Sequence, residues 1–377
     1  MGVLAFAFFA LLMSGCTKNS SDGAASKELL VGEYGSMTGG EATFGQMTHQ
    51  GIELAFKQAN AAGGVKGKQL KLDSVDDEGK PEEAATAVTK LVTEDKVIAV
   101  LGEVASSRSL AAAPISQQYK VPMISPSSTN PKVTEVGDYI FRVCFIDPFQ
   151  GTVMAKFAHD YLKVNKVAIM KDLKSDYSVG LSNYFKDTFE KMGGQIVSEE
   201  TYVSNDIDFK AQLTSIKSTH PDAIFIPGYY TEVGLIARQA RGLGMKMPLL
   251  GGDGWDSTKL YEIGKDAVMG SYFSNHYTTD TQDPTARNFI AAFQKEFGVV
   301  PDGLAAMGYD AAKVLIDALN RSKTLNSQDI RDAIASTKDY PGVTGKITIN
   351  DLRNATKSAV VVQVEGDHNK FVTTINP

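Results

Sequence analysis

Three segments of the chain place small hydroxyl residues directly after apolar runs: SMTGGEATFG (36–45), GEVASSRS (102–109) and SPSSTNP (125–131). Two more, GYYTE (228–232) and GDGWDS (252–257), bring aromatic rings and a carboxylate. Ser106 and Ser107 stand where an apolar run gives way to the helical stretch SLAAAPISQQY. A helix N-terminus offers unpaired N–H groups and the positive end of the dipole, which suits a carboxylate. Ser127 and Thr129 could complete that anion shelf, whereas Ser128 and Asn130, one step out of phase, serve the turn between Pro126 and Pro131. The plainer reading of the shelf is helix capping. Asp253, flanked by glycines, is an acceptor-only group able to hold an ammonium, or else a turn former. Tyr229 and Tyr230 offer a flat wall and a phenol or are sheet-edge aromatics, with Phe44 and Trp255 as apolar neighbours or Trp255 as packing between two halves.

Catalysis finds little footing in these residues. The histidines, at 49, 159, 220, 276 and 368, have no metal-ligand spacing. No G-x-S-x-G elbow occurs, and GSMTGG (35–40) matches neither a dinucleotide fingerprint nor a P-loop. Asp76-Asp77-Glu78 reads as a solvated acidic turn. The reading is therefore a binding protein without metal or cofactor. A formal net charge of -6 and the lack of a long basic run argue against nucleic acid as a partner.

Positioning such loops requires a particular rhythm of elements. Apolar strand-like runs at 29–35, 69–76, 97–101 and 121–124 alternate with helical periodicity at 47–62, 81–93 and 107–119. The rhythm restarts, with strands at 166–170, 195–202, 223–227 and 248–251 and helices at 149–163, 178–192, 206–218 and 231–243. Helices at 284–297, 302–320 and 327–336 and strands at 345–349, 357–365 and 371–374 complete the chain. Repeated βαβ units imply mainly parallel sheets covered by helices on both faces. For 377 residues, 43% of them hydrophobic, two such lobes are more economical than one very wide sheet. Cys144, in the apolar string FRVCFI, reads as a buried structural thiol.

The first residues, MGVLAFAFFALLMSGC, are too short for a spanning helix and suit the h-region of an export signal. They resemble a bacterial lipoprotein signal, which implies removal of 1–15 and lipidation of Cys16, with 16–27 as a flexible polar tether.

The loops together resemble the branched-chain amino-acid (Leu/Ile/Val) periplasmic binding proteins of bacterial ABC importers. The motifs that carry the resemblance are GSMTGGEATFG, GGVKGKQLKL, DDEGKPEEAATAVTKLV, ISPSSTNP and GYYTEVGLIARQARGLGMKMPLLGGDG. It implies α/β architecture of the type I periplasmic-binding-protein fold, two αβα lobes joined by three crossovers near 146–148, 275–278 and 352–357. Residues 28–147 with 277–354 would form lobe 1, and 148–276 with 355–377 lobe 2. The resemblance assigns the ligand carboxylate to Ser106, Ser127 and Thr129, the ammonium to Asp253, and the pocket walls to Phe44, Tyr177, Tyr229 and Tyr309. It implies a monomer in the cell envelope, lipid-anchored to the membrane, that delivers its ligand to permease subunits. Leucine-type binders have Glu where this chain has Asp253 and commonly Tyr where it has Phe44. Their first-lobe disulfide is missing, with Gly79 and Ala105 at its positions. Urea, a short amide, or a sensory receptor role remain as alternatives.

Overall fold

The structure, a computed structural model, describes residues 1–2, 27–366 and 368–377. The expected signal segment and the lipidation position Cys16 lie outside the described residues.

The first nine elements form one winding. They are β1 (Glu28–Gly35), α1 (Ala42–Ala61), β2 (Gln69–Asp76), α2 (Pro81–Thr93), β3 (Val100–Leu101), α3 (Ser106–Tyr119), β4 (Met123–Ser125), α4 (Lys132–Glu135) and β5 (Ile140–Arg142). The strands pair in parallel in the order β2-β1-β3-β4-β5. β1 is buried along almost its whole length, as a strand covered on both faces must be.

The second winding runs α5 (Asp147–Lys156), β6 (Lys166–Asp172), α6 (Asp176–Lys191), β7 (Gln195–Tyr202), α7 (Lys210–Ser218), β8 (Ala223–Phe225), α8 (Tyr230–Gly242), β9 (Leu249–Gly251), α9 (Thr258–Gly264) and β10 (Tyr272–Asn275). The chain then returns to the first lobe with α10 (Pro284–Phe297), α11 (Gly303–Arg321), α12 (Ser327–Ala335) and a small antiparallel sheet of β11 (Tyr340–Gly342), β12 (Gly345–Ile349) and β13 (Ala355–Thr356). It ends in the second lobe with β14 (Ala359–Glu365) and β15 (His368–Ile375). These two pair antiparallel beside β10, giving the order β15-β14-β10-β9-β8-β6-β7.

Packing fixes the layers. α1 and α11 cover one face of the first sheet around Ile52, Phe141 and Leu315, while α2 and α3 cover the other around Val88, Ala112 and Ile140. α1 and α11 approach each other at glycines: a Cβ on Gly51 would lie 2.1 Å from the Ala305 carbonyl oxygen, and one on Gly308 2.4 Å from that of Thr48. In the second lobe α5 and α6 enclose Phe185, Phe189 and Phe225, and α7 and α8 enclose Phe209, Val233 and Ile236.

The expected rhythm holds, and the structure adds short elements that it did not include: α4, β5, α9, β10, β11 and β13. β5 and β10 follow Gly137-Asp138 and Gly270, but are too short for an apolar run to mark them as strands. The expected strand at 357–365 begins later, at Ala359, because Lys357 turns inward at a crossing between the lobes. Cys144 is buried as expected, with its thiol pKa pushed up to about 12 by burial.

The chain passes between the two sheets after β5, after β10 and after β13, and each passage carries a buried titratable group. Asp147 is fully buried; burial raises its carboxyl from 3.8 to about 8, while the adjacent Thr129 hydroxyl and Arg142 oppose the shift. Burial lowers the His276 imidazole from its usual 6.5. Burial also lowers Lys357 to about 8.

Between pH 6.5 and 8 His276 and Lys357, both lowered in the fold, favour a stability that rises with pH, but each only at one end of the window. Asp147 binds more protons folded than unfolded across most of it and outweighs them, so stability falls as pH rises. Asp77, raised to about 7 by burial and Glu103, acts with the same sign. We expect the urea midpoint to fall from pH 6.5 to 8, and Asp147→Asn to flatten part of that fall in denaturation curves taken across the window.

Candidate functional site

Open parallel sheets bind ligands beyond the carboxyl ends of their strands, where the winding reverses. Here β1 lies between β2 and β3, and β6 lies between β7 and β8, so each sheet reverses beside the strand that begins it. The two reversals face each other. Phe44 follows β1, Val104 and Ser106 follow β3, and Ser127 follows β4; opposite stand Tyr177 after β6, Tyr229 after β8, and Asp253 with Gly254 after β9. Leu304, at the start of α11, closes the ring.

Asp253 is the centre of this ring and is bonded from several directions. Its Oδ1 accepts Gln150 Nε2 at 2.7 Å, and its Oδ2 meets His276 Nε2 at 3.0 Å and accepts the Ser127 hydroxyl at 3.3 Å. The neutral imidazole favoured by burial fits this role, with Nε2–H donating to the carboxylate. Phe145 stacks on the imidazole at 3.8 Å and fixes its plane. Tyr177 and Tyr229 stack with ring centroids 5.4 Å apart, and Phe44 meets Tyr229 edge-on at the same distance. The Tyr177 hydroxyl accepts the Gly254 amide at 3.2 Å. A side chain at 252 would lie 2.5 Å from that hydroxyl, so glycine is needed there for close approach.

The hydroxyl loops divide their work. Ser106 Oγ accepts the Asn130 amide at 3.1 Å and lines the cavity. Helix capping does not explain it, because Ala105 is the N-cap of α3 and no side chain caps it. Ser107 instead exchanges two 2.9 Å hydrogen bonds with Asp176 of the other lobe. Ser128 bonds the Glu103 carbonyl at 2.8 Å and Ser109 at 2.7 Å, in keeping with a turn role. Thr129 does not line the cavity; its buried hydroxyl lies beside the Asp147 carboxyl.

Four expectations need correction. Tyr309 is no cavity wall: its hydroxyl bonds Gln58 at 2.6 Å and its ring packs on Phe289, because position 309 turns away from the face of α11 that carries Leu304. Trp255 packs inside the second lobe, where its indole N–H reaches the Ile226 carbonyl at 2.9 Å. Tyr230 is no sheet-edge residue, being buried at the start of α8 against Phe44. The turn 76–78 is not wholly solvated, since Asp77 is fully buried and accepts Ser36 Oγ at 3.1 Å. Sequence reasoning missed Gln150, His276 and Leu304, which lie far from the glycine-rich loops in the chain and arrive through α5, the second crossing and α11.

The lobes are closed on one another. Thr231 donates to the Gly40 carbonyl at 2.7 Å, Thr43 and Ser257 hydroxyls meet at 2.9 Å, and Asn130 Nδ2 donates to the Asp176 carbonyl at 2.8 Å. The cavity around Asp253 is then only about 10 Å³, room for one water molecule. A wider crevice of about 510 Å³ lies between the lobes beside it, sharing Tyr229 as a wall. A solute larger than water reaches Asp253 only if the lobes part.

Comparison with known proteins agrees with this geometry. Residues 29–369 match the family model described as periplasmic binding protein. The chain belongs to the periplasmic binding protein family. It is 30% identical over 330 residues to the Leu/Ile/Val-binding protein homolog 3 of Brucella melitensis, covering 87% of this chain and 89% of that one. The leucine binding protein LivK of Thermotoga maritima superposes with a TM-score of 0.89 at 42% identity, over 93% of this chain and 99% of that one. The substrate binding protein LivJ of Streptococcus pneumoniae, solved with isoleucine, gives 0.88 at 34%, over 93% and 100%. The architecture is the type I periplasmic-binding-protein fold.

In this periplasmic binding protein a buried charge cluster links the positions where the resemblance implies a disulfide in relatives. Arg108 donates to the Gly79 carbonyl at 2.9 Å and to Glu41 at 2.6 Å, and its Nε lies 3.1 Å from Glu103. Glu103 in turn accepts the Ala105 amide. Burial opposes the Arg108 charge, and Glu103 and Glu41 outweigh it, so the guanidinium stays protonated. Removing one member of a buried, paired cluster costs about 3–5 kcal/mol. Arg108→Met is therefore expected to destabilise the first lobe by that order, read as a drop in the urea midpoint at constant slope.

Proposed function

We propose that this chain is the solute-binding component of an ABC importer, taking a small amino acid between its two lobes and delivering it to a membrane permease. The branched-chain aliphatic acids leucine, isoleucine and valine are the favoured class. The observation that supports this reading is a buried carboxylate, Asp253, facing hydroxyls at Ser106 and Ser127 across a wall of Phe44, Tyr177 and Tyr229. The first would hold an ammonium and the second a carboxylate, with Thr129 beside them able to reach the ligand only by leaving Asp147. Leu304 and the aromatic rings leave an apolar side chain as the natural third part of the ligand. The names of the relatives point to the same ligand class.

The work is binding and release, with no bond broken, and the protein is not an enzyme. An open form meets the amino acid on one lobe and closes by rotation about the three crossings, which requires open and closed forms to lie within a few kcal/mol. On entry the ammonium takes over the acceptor oxygens that Ser127 and Gln150 occupy in the closed lobes. Stripping water from two ligand charges is worthwhile only because fixed partners replace it. The protein works as a monomer in the cell envelope, held near its permease by lipid on Cys16. The lobes consist of 28–147 with 277–356 and of 148–276 with 357–377, the last boundary falling later than the expected 354 because β13 pairs with β12 in the first lobe.

The narrowness of the cavity favours a second reading, a smaller solute such as urea or a short amide. Calorimetric titration with leucine, isoleucine, valine, urea and acetamide separates the two. We expect saturable binding of at least one branched-chain acid. Asp253→Ala should weaken it by several kcal/mol, since truncating one partner of a buried charge pair costs about 2–5 kcal/mol. Silence with all three acids would overturn the assignment. Unchanged affinity in Asp253→Ala would make that residue a turn former.

A further inference from the structure

A second cavity, of about 290 Å³, lies on the crossing side of the interface between the lobes. Its size is near the lower end for small-molecule pockets. Asp256 and Tyr277 line it from the loop after β9 and from the second crossing, and Asp302 lines it from the loop before α11 in the first lobe. No lysine or arginine is among its lining residues, and His368 is the one basic type there. Leu260, Val300 and Val364 give it an apolar stretch beside uncharged polar residues such as Ser257, Thr278 and Asn369. It is separate from the Asp253 ring, with which it shares no lining residue.

Two features of this cavity call for a cation. Asp256, which is buried, and Asp302, which is half-buried, are acids brought together from opposite lobes. Asp302 is raised well above its usual value by burial and by Asp256, and Asp256 is raised by burial. The second feature is independent of charge. Tyr277 is 5% exposed, and its hydroxyl is buried with no hydrogen-bond partner. An unpaired buried phenol costs free energy unless something bonds to it. The α11 N-terminus does not answer that need or repel a cation. Its amides are already taken: Gly303 N–H by Asp256 at 2.6 Å and Ala305 N–H by Asp302 at 2.9 Å.

We propose that this cavity binds a small organic cation, an alkylammonium held between Asp256 and Asp302 with the Tyr277 oxygen as a further acceptor. Its alkyl body lies against Leu260, Val300 and Val364. An ammonium group offers three donors, matching two carboxylates and a phenol. The apolar wall gives a bare metal ion nothing and an alkyl chain a surface. Because the acids come from different lobes, the bound cation ties the lobes together.

The probe is n-butylammonium chloride, followed by calorimetry and thermal shift on the full chain, with sodium and calcium chloride as controls. We expect one saturable site and a concentration-dependent rise in Tm. Asp302→Asn keeps the helix cap, since Asn caps as well as Asp, and is expected to weaken binding at least tenfold. Tyr277→Phe removes only the unpartnered hydroxyl and is expected to weaken binding severalfold without lowering the Tm of the free protein. Asp253→Ala is expected to leave n-butylammonium binding in place. No heat and no Tm shift with n-butylammonium would overturn the proposal, as would equal affinity in Asp302→Asn and the unaltered chain. Binding lost in Asp253→Ala but kept in Asp302→Asn would put the amine in the other cleft. A calcium response without an n-butylammonium response would make it an inorganic-ion site; both results overturn the proposal. The assay reads the amine directly, so its outcome is separate from that of the amino-acid assignment.

Discussion

A carboxylate buried between two halves of a protein must find its partners from both, and Asp253 does. Gln150 and His276 hold it from its own side of the interface, and Ser127 reaches it from the other. An ionised group without such partners would be driven to take up a proton. The fold therefore has to bring the ends of β4, β9 and β10 and the first turn of α5 to one point. Only two facing α/β windings, each reversing beside its first strand, accomplish that with short loops. The chain passes between the sheets three times, which lets the windings rotate while the loops stay aligned.

The same rule governs the first lobe. Glu41, Asp77 and Glu103 are acids packed around one guanidinium, Arg108, which also holds the Gly79 carbonyl. A disulfide at 79 and 105 would tie the same segments covalently. A charge cluster ties them by geometry instead, and its cost is borne only while every member is present. It also places Arg108 and Glu41 on the 510 Å³ crevice beside Tyr229, where the lobes part. Structural and interlobe electrostatics are thus continuous across the first-lobe rim.

How much of this was legible in the sequence depended on whether the cause was local. Parallel strands buried on both faces leave apolar runs, so β1 and β6 could be read directly, while the edge strands β2 and β7 showed only by their place after the glycines that end a helix. Asp253 stood out because glycines isolate it, and Ser107 because two serines open a helix, although it proved to bond across the lobes to Asp176. Gln150 gives no such signal: it is one glutamine on an amphipathic helix, and only tertiary packing turns it toward Asp253. Asp77 looked solvated because its neighbour Glu78 is exposed, yet one residue of phase buries it against Ser36. Tyr309 and Leu304 differ by five positions on one helix, more than one turn, and periodicity alone did not decide which faces the cleft.

The crossings show why closure is a matter of titratable groups as well as of hinges. Asp147, His276 and Lys357 each sit where the chain passes between lobes, and burial pushes each toward its neutral form; Asp147 and His276 reach it at neutral pH, while Lys357, lowered to about 8 with Asp310 opposing the shift, keeps its proton there. A crossing packed with neutral polar groups can shift by small amounts without exposing a full charge to a low-dielectric core. Had Asp147 and His276 been ionised and unpaired, each small rotation would alter their solvation by amounts larger than the open–closed difference itself. Two of the three crossings are thereby kept electrostatically quiet, while Asp253 at the cleft is bonded by donors from both sides.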